Sequence, residues 1–210
     1  MSSAPGASAW RDGFLFVANT PVLDFLNTRP VQDGHAIERL PDFKAVLRWF
    51  RAANLLNSRE FARLESRWAD EAGVEETANS IRQFRERLRR EVLAWEAGSA
   101  IKSSIIDELN CLMTDCPMRT KLGMRNGVPV TQTWFQLQKP EDLLAPLAHG
   151  GARLFTAADR TRVRKCHQCV LHFLDSSKKG TRRWCSMQLC GNRRKVAAYA
   201  ARRRSRVKAQ

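Results

Sequence analysis

Between residues 160 and 210 the chain has one acidic side chain, Asp175, against 16 lysines and arginines. That surplus equals the whole net charge of +15, so residues 1–159 are electrically balanced. A lack of acid confined to one segment points to a polyanionic partner, most simply nucleic acid. Long apolar runs are also missing. None approaches the roughly 18 residues of a membrane helix, so no membrane span is expected. The first residues lack a basic segment followed by an apolar run and a small-residue cleavage site, and no secretory signal is read there. The expected compartment is the cytoplasm, where thiols stay reduced and clustered cysteines indicate metal rather than disulfides. Catalytic patterns are absent too: there is no glycine-rich phosphate loop, no nucleophile elbow, and only four histidines. No catalytic residue is assigned, and the chain reads as a protein other than an enzyme.

What the basic segment does contain is Cys166, Cys169, Cys185 and Cys190, spaced C-x2-C-x15-C-x4-C. Two close pairs, brought together by an intervening hairpin, form a closed tetrahedral cage for one zinc ion per chain. A module of about 45 residues rarely holds itself by apolar burial alone, and a metal remedies that. Lys165, Arg182, Arg183 and Arg193 favour thiolates and offset the net charge of a zinc tetrathiolate. A catalytic zinc would need an open position and a neighbouring base, whereas four sulfurs close the shell. His167 and His172 are the alternative ligands. With four thiols available they are read instead as contacts to phosphate or solvent. Cys111 and Cys116 resemble a second half-site, but on a helix they would lie about 140° apart; they are read as core cysteines.

The body shows helical periods. Residues 14–28 read as a strand-like piece, a turn and a short helix with Thr20 as N-cap and Pro21 first in the helix. Asp42 is expected to cap a helix carrying Phe43, Val46, Leu47 and Phe50, and Ser58 to open another with Phe61, Leu64 and Trp68. Ile81, Phe84, Leu88, Val92 and Trp95 form one stripe of a helix over residues 77–97, ended by Gly98. Its opposite face, with Arg82, Arg85, Arg89 and Arg90, is interleaved with Glu86 and Glu91 and reads as a solvated face rather than a nucleic-acid surface. Ser104 and Asp107 suggest a capping box for a helix through Met113. Over residues 118–138 the period becomes that of a hairpin, with Asn126 and Gly127 in the turn and Pro129 at an edge. After Pro140 a helix is expected, interrupted at Gly150 and Gly151. The fold class is therefore mainly α with a small antiparallel β-hairpin (α+β) in the N-terminal domain, plus a small C-terminal zinc finger of knuckle, hairpin and helix. The expected division is a disordered lead (1–13), the helical body (14–158), the finger (159–204) and a basic tail (205–210).

Cys166, Cys169, Phe173, Asp175, Ser177, the run of residues 182–187, and Cys190, Gly191, Asn192, Arg193 and Lys195 resemble the CGNR zinc finger. Leu23, Asp24, Phe25, Asn27 and Thr28 are similar to the opening of the ABATE domain, which usually precedes that finger. The resemblance implies a bacterial, stress-induced transcription regulator with a C-terminal DNA-binding finger. Lys178, Lys179 and Gly180 stand where such fingers often carry Asn, a departure that adds phosphate affinity and leaves the metal untouched.

The segment from Gly191 is expected to be a helix beginning at the metal. Val196, Tyr199 and Ala200 would supply its packing face, with Arg193, Arg194, Lys195, Arg202, Arg203 and Arg204 outward. Together with Lys178, Lys179, Arg182 and Arg183 these are the candidate nucleic-acid contacts. An arginine-rich helix fits the major groove and pairs with guanine edges, while most cations hold phosphates. Two rival roles stay open: residues 202–210 as a solubilising tail, and part of residues 193–195 as donors to the zinc site. Trp184 is read as packing over the zinc loop. Duplex DNA is the first expectation; RNA or the ribosome is the alternative, since phosphate attraction is blind to the sugar. A protein-interaction module, or an enzyme with its site in the body, is the third. The body is left with ligand sensing, homodimerisation or contact with the transcription machinery. Asp24, Asn27 and Thr28, polar among apolar neighbours, are candidates for a small-molecule effector pocket, or for turn and cap hydrogen bonds.

Overall fold

A computed structural model describes residues 9–32, 35–169, 171–196 and 199–200. The expectations placed on Arg202, Arg203, Arg204, the basic tail and most of the lead lie outside the described residues. Strands β1 (Trp10–Arg11) and β2 (Phe14–Leu15) pair across a turn and lead into α1 (Pro21–Leu26). Thr20 stands at its N-cap, but the hydroxyl makes no cap bond, so the expected cap is one of position only. Val22, Leu23, Phe25 and Leu26 are all buried. A helix apolar at every position but Asp24 belongs inside, and α1 packs against later helices at residues 74–96 and 144–157.

Strands β3 (Val31–Gln32) and β4 (His35–Ala36) make a second small ladder. Helix α2 (Phe43–Ala52) is capped by Asp42, which accepts the Ala45 N–H at 2.7 Å. Helix α3 (Ser58–Arg67) opens at Ser58 as expected, capped by Asn57 in a reciprocal box with Glu60. The longest helix, α4 (Val74–Glu96), buries its whole expected stripe. Helix α5 (Ser103–Asp115) starts from Lys102 with no side-chain cap, so the Ser104 and Asp107 box does not form. The hairpin β5 (Met118–Arg125) and β6 (Val128–Phe135) turns at Asn126 and Gly127, both at positive φ (50° and 77°), as a tight two-residue turn requires.

A 3₁₀ turn then runs into α6 (Leu144–Ala157). The expected break at Gly150 and Gly151 is absent, because these glycines serve packing rather than a bend. A Cβ on Gly150 would meet that of Val22 at 3.1 Å, and one on Gly151 would press on Leu88 and Leu109. Last come β7 (Val163–Lys165) and β8 (His172–Leu174), paired antiparallel. The architecture is mainly helical with small two-stranded antiparallel sheets, as the periods predict. Among the described residues no helix is long and apolar enough to cross a membrane.

The arginines of α4 correct the expected solvated face. Arg85 is 1% exposed; its guanidinium bonds both Glu38 oxygens (2.8 and 2.5 Å), the Thr28 hydroxyl (2.9 Å) and Glu86 (2.9 Å). Arg82 donates to the carbonyls of Leu40 and Pro41, and Arg89 to those of Leu26 and Arg29. The segment between α1 and α2 has little apolar material of its own, so these cations pin its backbone to α4. Glu86, which the sequence pattern reads as a solvating partner, neutralises the buried end of that array. Burial opposes the charge on Glu38, yet the Arg85 guanidinium holds its carboxyl below the usual value.

Arg85→Ala leaves the half-buried Glu38 carboxylate unpaired and is expected to cost about 3 kcal/mol. Denaturant titration measures this, and adding Glu38→Gln is expected to restore part of the loss. An unchanged midpoint in the single variant contradicts the assignment.

Candidate metal centre

The knuckle sits inside the β7–β8 hairpin: Cys166 follows β7, and its N–H bonds the Leu171 carbonyl at 2.8 Å just before β8. The sequence places the hairpin between Cys169 and Cys185; the structure places it around the first cysteine pair. Val163 and Phe173 supply buried strand positions there, whereas residues 176–183 are all polar or glycine and form an irregular loop. The second pair is presented by a π-helical turn, Met187–Gly191, whose N-cap Ser186 hydroxyl accepts the Leu189 N–H. A Cβ on Gly191 would overlap the Met187 sulfur, a contact that the exposed methionine can relieve by moving. An α-helical segment follows over residues 192–196.

All four sulfurs lie within 4.8 Å of one another, with Cys169 to Cys185 at 3.4 Å and Cys185 to Cys190 at 3.6 Å. A zinc tetrathiolate has sulfur–sulfur edges of about 3.8 Å, given its metal–sulfur bond length. Donor type, number and spacing thus fit a closed metal site, consistent with zinc. Such crowding splits the acidities. The thiol bond from Cys185 holds Cys169 down to about 5. That same bond pushes Cys185 up, and burial pushes Cys190 up to about 12. A cation among the sulfurs replaces these protons. Neither histidine turns into the cage: the His167 ring packs edge-on to the half-buried Trp184 (5.8 Å), and His172 Nε2 lies 3.2 Å from the Glu96 carboxylate. Cys116 is a core residue as expected, but Cys111 is exposed, with its sulfur 3.7 Å from Asp115.

The loop between the cysteine pairs is wound around Asp175, which is fully buried. Its two oxygens accept the backbone N–H groups of Ser177 (2.9 Å) and Arg182 (2.8 Å), with Arg164 at 3.7 Å. Burial works against this charge, but those bonds and the Arg164 guanidinium hold the carboxyl below its usual value. Arg162 and Arg164 tie down the carbonyls of Ser177 and Gly180 (2.8 and 2.7 Å). Sequence reasoning missed these three; the available signal was Asp175 itself, the lone acid in a strongly cationic stretch.

Of the candidate nucleic-acid contacts, Lys178, Lys179, Arg183, Arg193, Arg194 and Lys195 are exposed. Arg182 is not a free cation. Its guanidinium donates to the carbonyls of Trp184 (2.8 Å), Cys185 and Val17 and stacks 4.7 Å over Phe173. Val196, Tyr199 and Ala200 are exposed, so among the described residues the expected packing face does not form.

Asp24, Asn27 and Thr28 are buried, and their polar atoms are engaged within the protein. Asn27 brackets the His172 backbone, donating to its carbonyl (2.8 Å) and accepting its N–H (3.0 Å). Asp24 Oδ1 accepts the N–H groups of Val17 and Ala18, both at 2.9 Å. The turn so held presents the Ala18 carbonyl to the Leu174 N–H at 2.9 Å, while Asn19 bonds the Leu174 carbonyl at 2.8 Å. Thr28 donates to the Phe25 carbonyl and accepts from Arg85. Asp24 and Asn27 thus form the joint between body and finger while Thr28 ties α1 to α4, and neither of two clefts of about 440 Å³ is lined by the three. Burial pushes the Asp24 carboxyl up to about 7 despite its two N–H bonds.

Residues 19–158 match the ABATE family, described as "Putative stress-induced transcription regulator", and residues 162–203 match the CGNR zinc finger. No curated protein matches the chain.

Cys185→Ser is expected to release the bound metal and unfold the finger while the body keeps its helices; elemental analysis and circular dichroism check both, and retention of about one ion per chain contradicts the cage. For Asp24 the folded group (about 7) binds a proton that the unfolded one (about 3.9) has lost, so its contribution to stability falls as pH rises from about 4 to 7. Asp24→Asn keeps an acceptor oxygen and removes the titration. Its stability relative to wild type is expected to rise by about 2 kcal/mol between pH 5.5 and 8, measured by urea unfolding; a pH-independent difference contradicts the assignment.

Proposed function

Because this chain belongs to the ABATE family and carries a CGNR zinc finger at residues 162–203, we propose that it is a zinc-dependent transcription regulator whose finger binds duplex DNA. One observation carries the reading. Six exposed cations, Lys178, Lys179, Arg183, Arg193, Arg194 and Lys195, stand on a metal-anchored module whose one acid is buried and internally bonded. The field such a module presents to solvent is cationic without interruption, and that suits a phosphate backbone.

Zinc supplies the rigidity. With Cys190 held in the cage, the chain leaves through Gly191 into the helical segment at a fixed angle. Arg193, Arg194 and Lys195 are successive on that segment, about 100° apart around its axis. They therefore fan out, so that one or two reach base edges while the others meet phosphates. Lys178, Lys179 and Arg183, on the loop wound around Asp175, add backbone contacts. The body's part is to pose the finger. Asn27, Ala18 and Asn19 grip β8, so an effector or a second copy that shifts the turn at residues 17–19 would move the finger with it. Such a protein acts in the bacterial cytoplasm, at the nucleoid when bound to DNA.

Selection of duplexes from a random pool tests the reading when repeated after chelation; a consensus is expected only with metal present. With four or five of the six cations on phosphates, the finger predicts a slope of log affinity against log salt near −4, a loss on the order of a few hundredfold between 50 and 200 mM. Affinity indifferent to salt, or stronger competition by structured RNA than by duplex DNA, contradicts it.

A further inference from the structure

The β5–β6 hairpin stands out of the body. Thirteen of its sixteen strand residues are exposed. A two-stranded ribbon without a covering layer is marginally stable in water, so the chemistry of its faces indicates what meets it. Residues paired across the ladder share a face, and the two faces differ sharply. One holds Leu122, Met124, Pro129 and three threonines and has no charge. The other holds Arg119, Lys121 and Arg125 beside Val128, Gln132 and Trp134.

No acidic residue occurs between Cys116 and Glu141. Among the described residues none of Arg119, Lys121 and Arg125 has a carboxylate partner. The contrast with α4 is informative: Arg82, Arg85, Arg87 and Arg89 all bond carbonyls or carboxylates of the fold. The hairpin cations therefore do not build the structure. Their face is also kept flat. Gln132 lies across Gly123, where a Cβ would come within 2.7 Å of its Nε2, and the Lys121 ammonium sits 5.5 Å over the Trp134 ring. From Arg119 to Arg125 the strand runs about 20 Å, the rise of roughly six base pairs.

We propose that the hairpin is a second nucleic-acid contact, a cationic β-ribbon that lays Arg119, Lys121 and Arg125 on the phosphates of the duplex the finger holds. A two-stranded ribbon is one of the elements that B-DNA grooves accept. Its root supports joint action with the finger. Phe135, at the base of β6, packs on His149 (5.2 Å) in the middle of α6, and that helix runs on toward the finger. The two cationic parts thus spring from one rigid helix, with about 12 Å of its axis between His149 and its end. The inference rests on the proposed function of the finger and extends it to the body.

The test uses the full zinc-loaded chain and a duplex DNA of about thirty base pairs, with anisotropy read across a salt series. Compared with wild type are Arg119→Gln/Lys121→Gln/Arg125→Gln and, for the finger, Arg193→Gln/Arg194→Gln/Lys195→Gln. Each lost phosphate contact reduces the slope by about 0.9, so the hairpin variant is expected to lose between two and three units, and the finger variant, one or two of whose cations meet bases, about one to two. The hairpin variant should melt close to wild type, since these side chains have no carboxylate partner to lose and only Lys121 gives up a contact, the exposed one over the Trp134 ring. A wild type without salt-sensitive binding overturns the finger reading and the ribbon with it. A binding wild type whose hairpin variant keeps the same slope and affinity overturns the ribbon alone. An unchanged slope together with a wild-type dimer that Leu122→Thr dissociates would assign the hairpin to a second copy of the chain, and would overturn the proposal as well.

Discussion

Four sulfurs gathered within 4.8 Å, in a segment carrying the whole of the chain's net positive charge, set the terms for the rest of the molecule. The finger has only a handful of buried apolar residues, chiefly Val163, Leu171 and Phe173. That is too little to hold a hairpin, a long loop and a projecting helix in one arrangement. A bound metal would meet this deficit: it would give the sulfurs a common charge partner and fix where the chain re-enters helix at Asn192. Asp175 does for the loop what the cage does for its ends, drawing two backbone N–H groups onto one buried carboxylate.

Arginine has two distinct uses here, and separating them changes what the charge of the chain means. Arg82, Arg85 and Arg89 hold the segment after α1, and Arg162, Arg164 and Arg182 hold the loop of the finger. Planar guanidinium groups suit this work because one side chain can satisfy several carbonyls where backbone bends away from regular ladders. The remaining cations, on the finger loop, on its helix and on the hairpin, have no such duty and are open to a polyanion. A formal charge of +15 therefore overstates the free cationic surface of the finger and hides that of the hairpin.

The joint links these parts. Its residues belong to α1 and the turn before it, the same polar positions that look like a pocket in the sequence. Asn27 matches the backbone of β8 as a neighbouring strand would, and Asp24 shapes the turn that supplies the next bond. Pose of the finger and ionisation of Asp24 are therefore mechanically adjacent, through a carboxyl whose burial pushes it up to about 7.

The spacing of Cys166, Cys169, Cys185 and Cys190 was enough to pick out the four sulfurs that the fold gathers within 4.8 Å, because a thiolate cage depends on loop lengths that sequence displays directly. The stripe of α4, the Asp42 cap and the turn at Asn126 and Gly127 were legible for the same reason: each is a local rule acting over a few residues. Tertiary structure alone decided the rest. Nothing local distinguishes Arg85, buried against Glu38, from the exposed Arg90 five residues on, or the inward Arg182 from the outward Arg183. Gly150 and Gly151 look like a break until α1 and α5 are packed beside them, and Asp24 and Asn27 look like a pocket until β8 arrives. In every such case the bonding partner is remote in the chain, and the direction of a polar side chain is settled by what the fold brings to it.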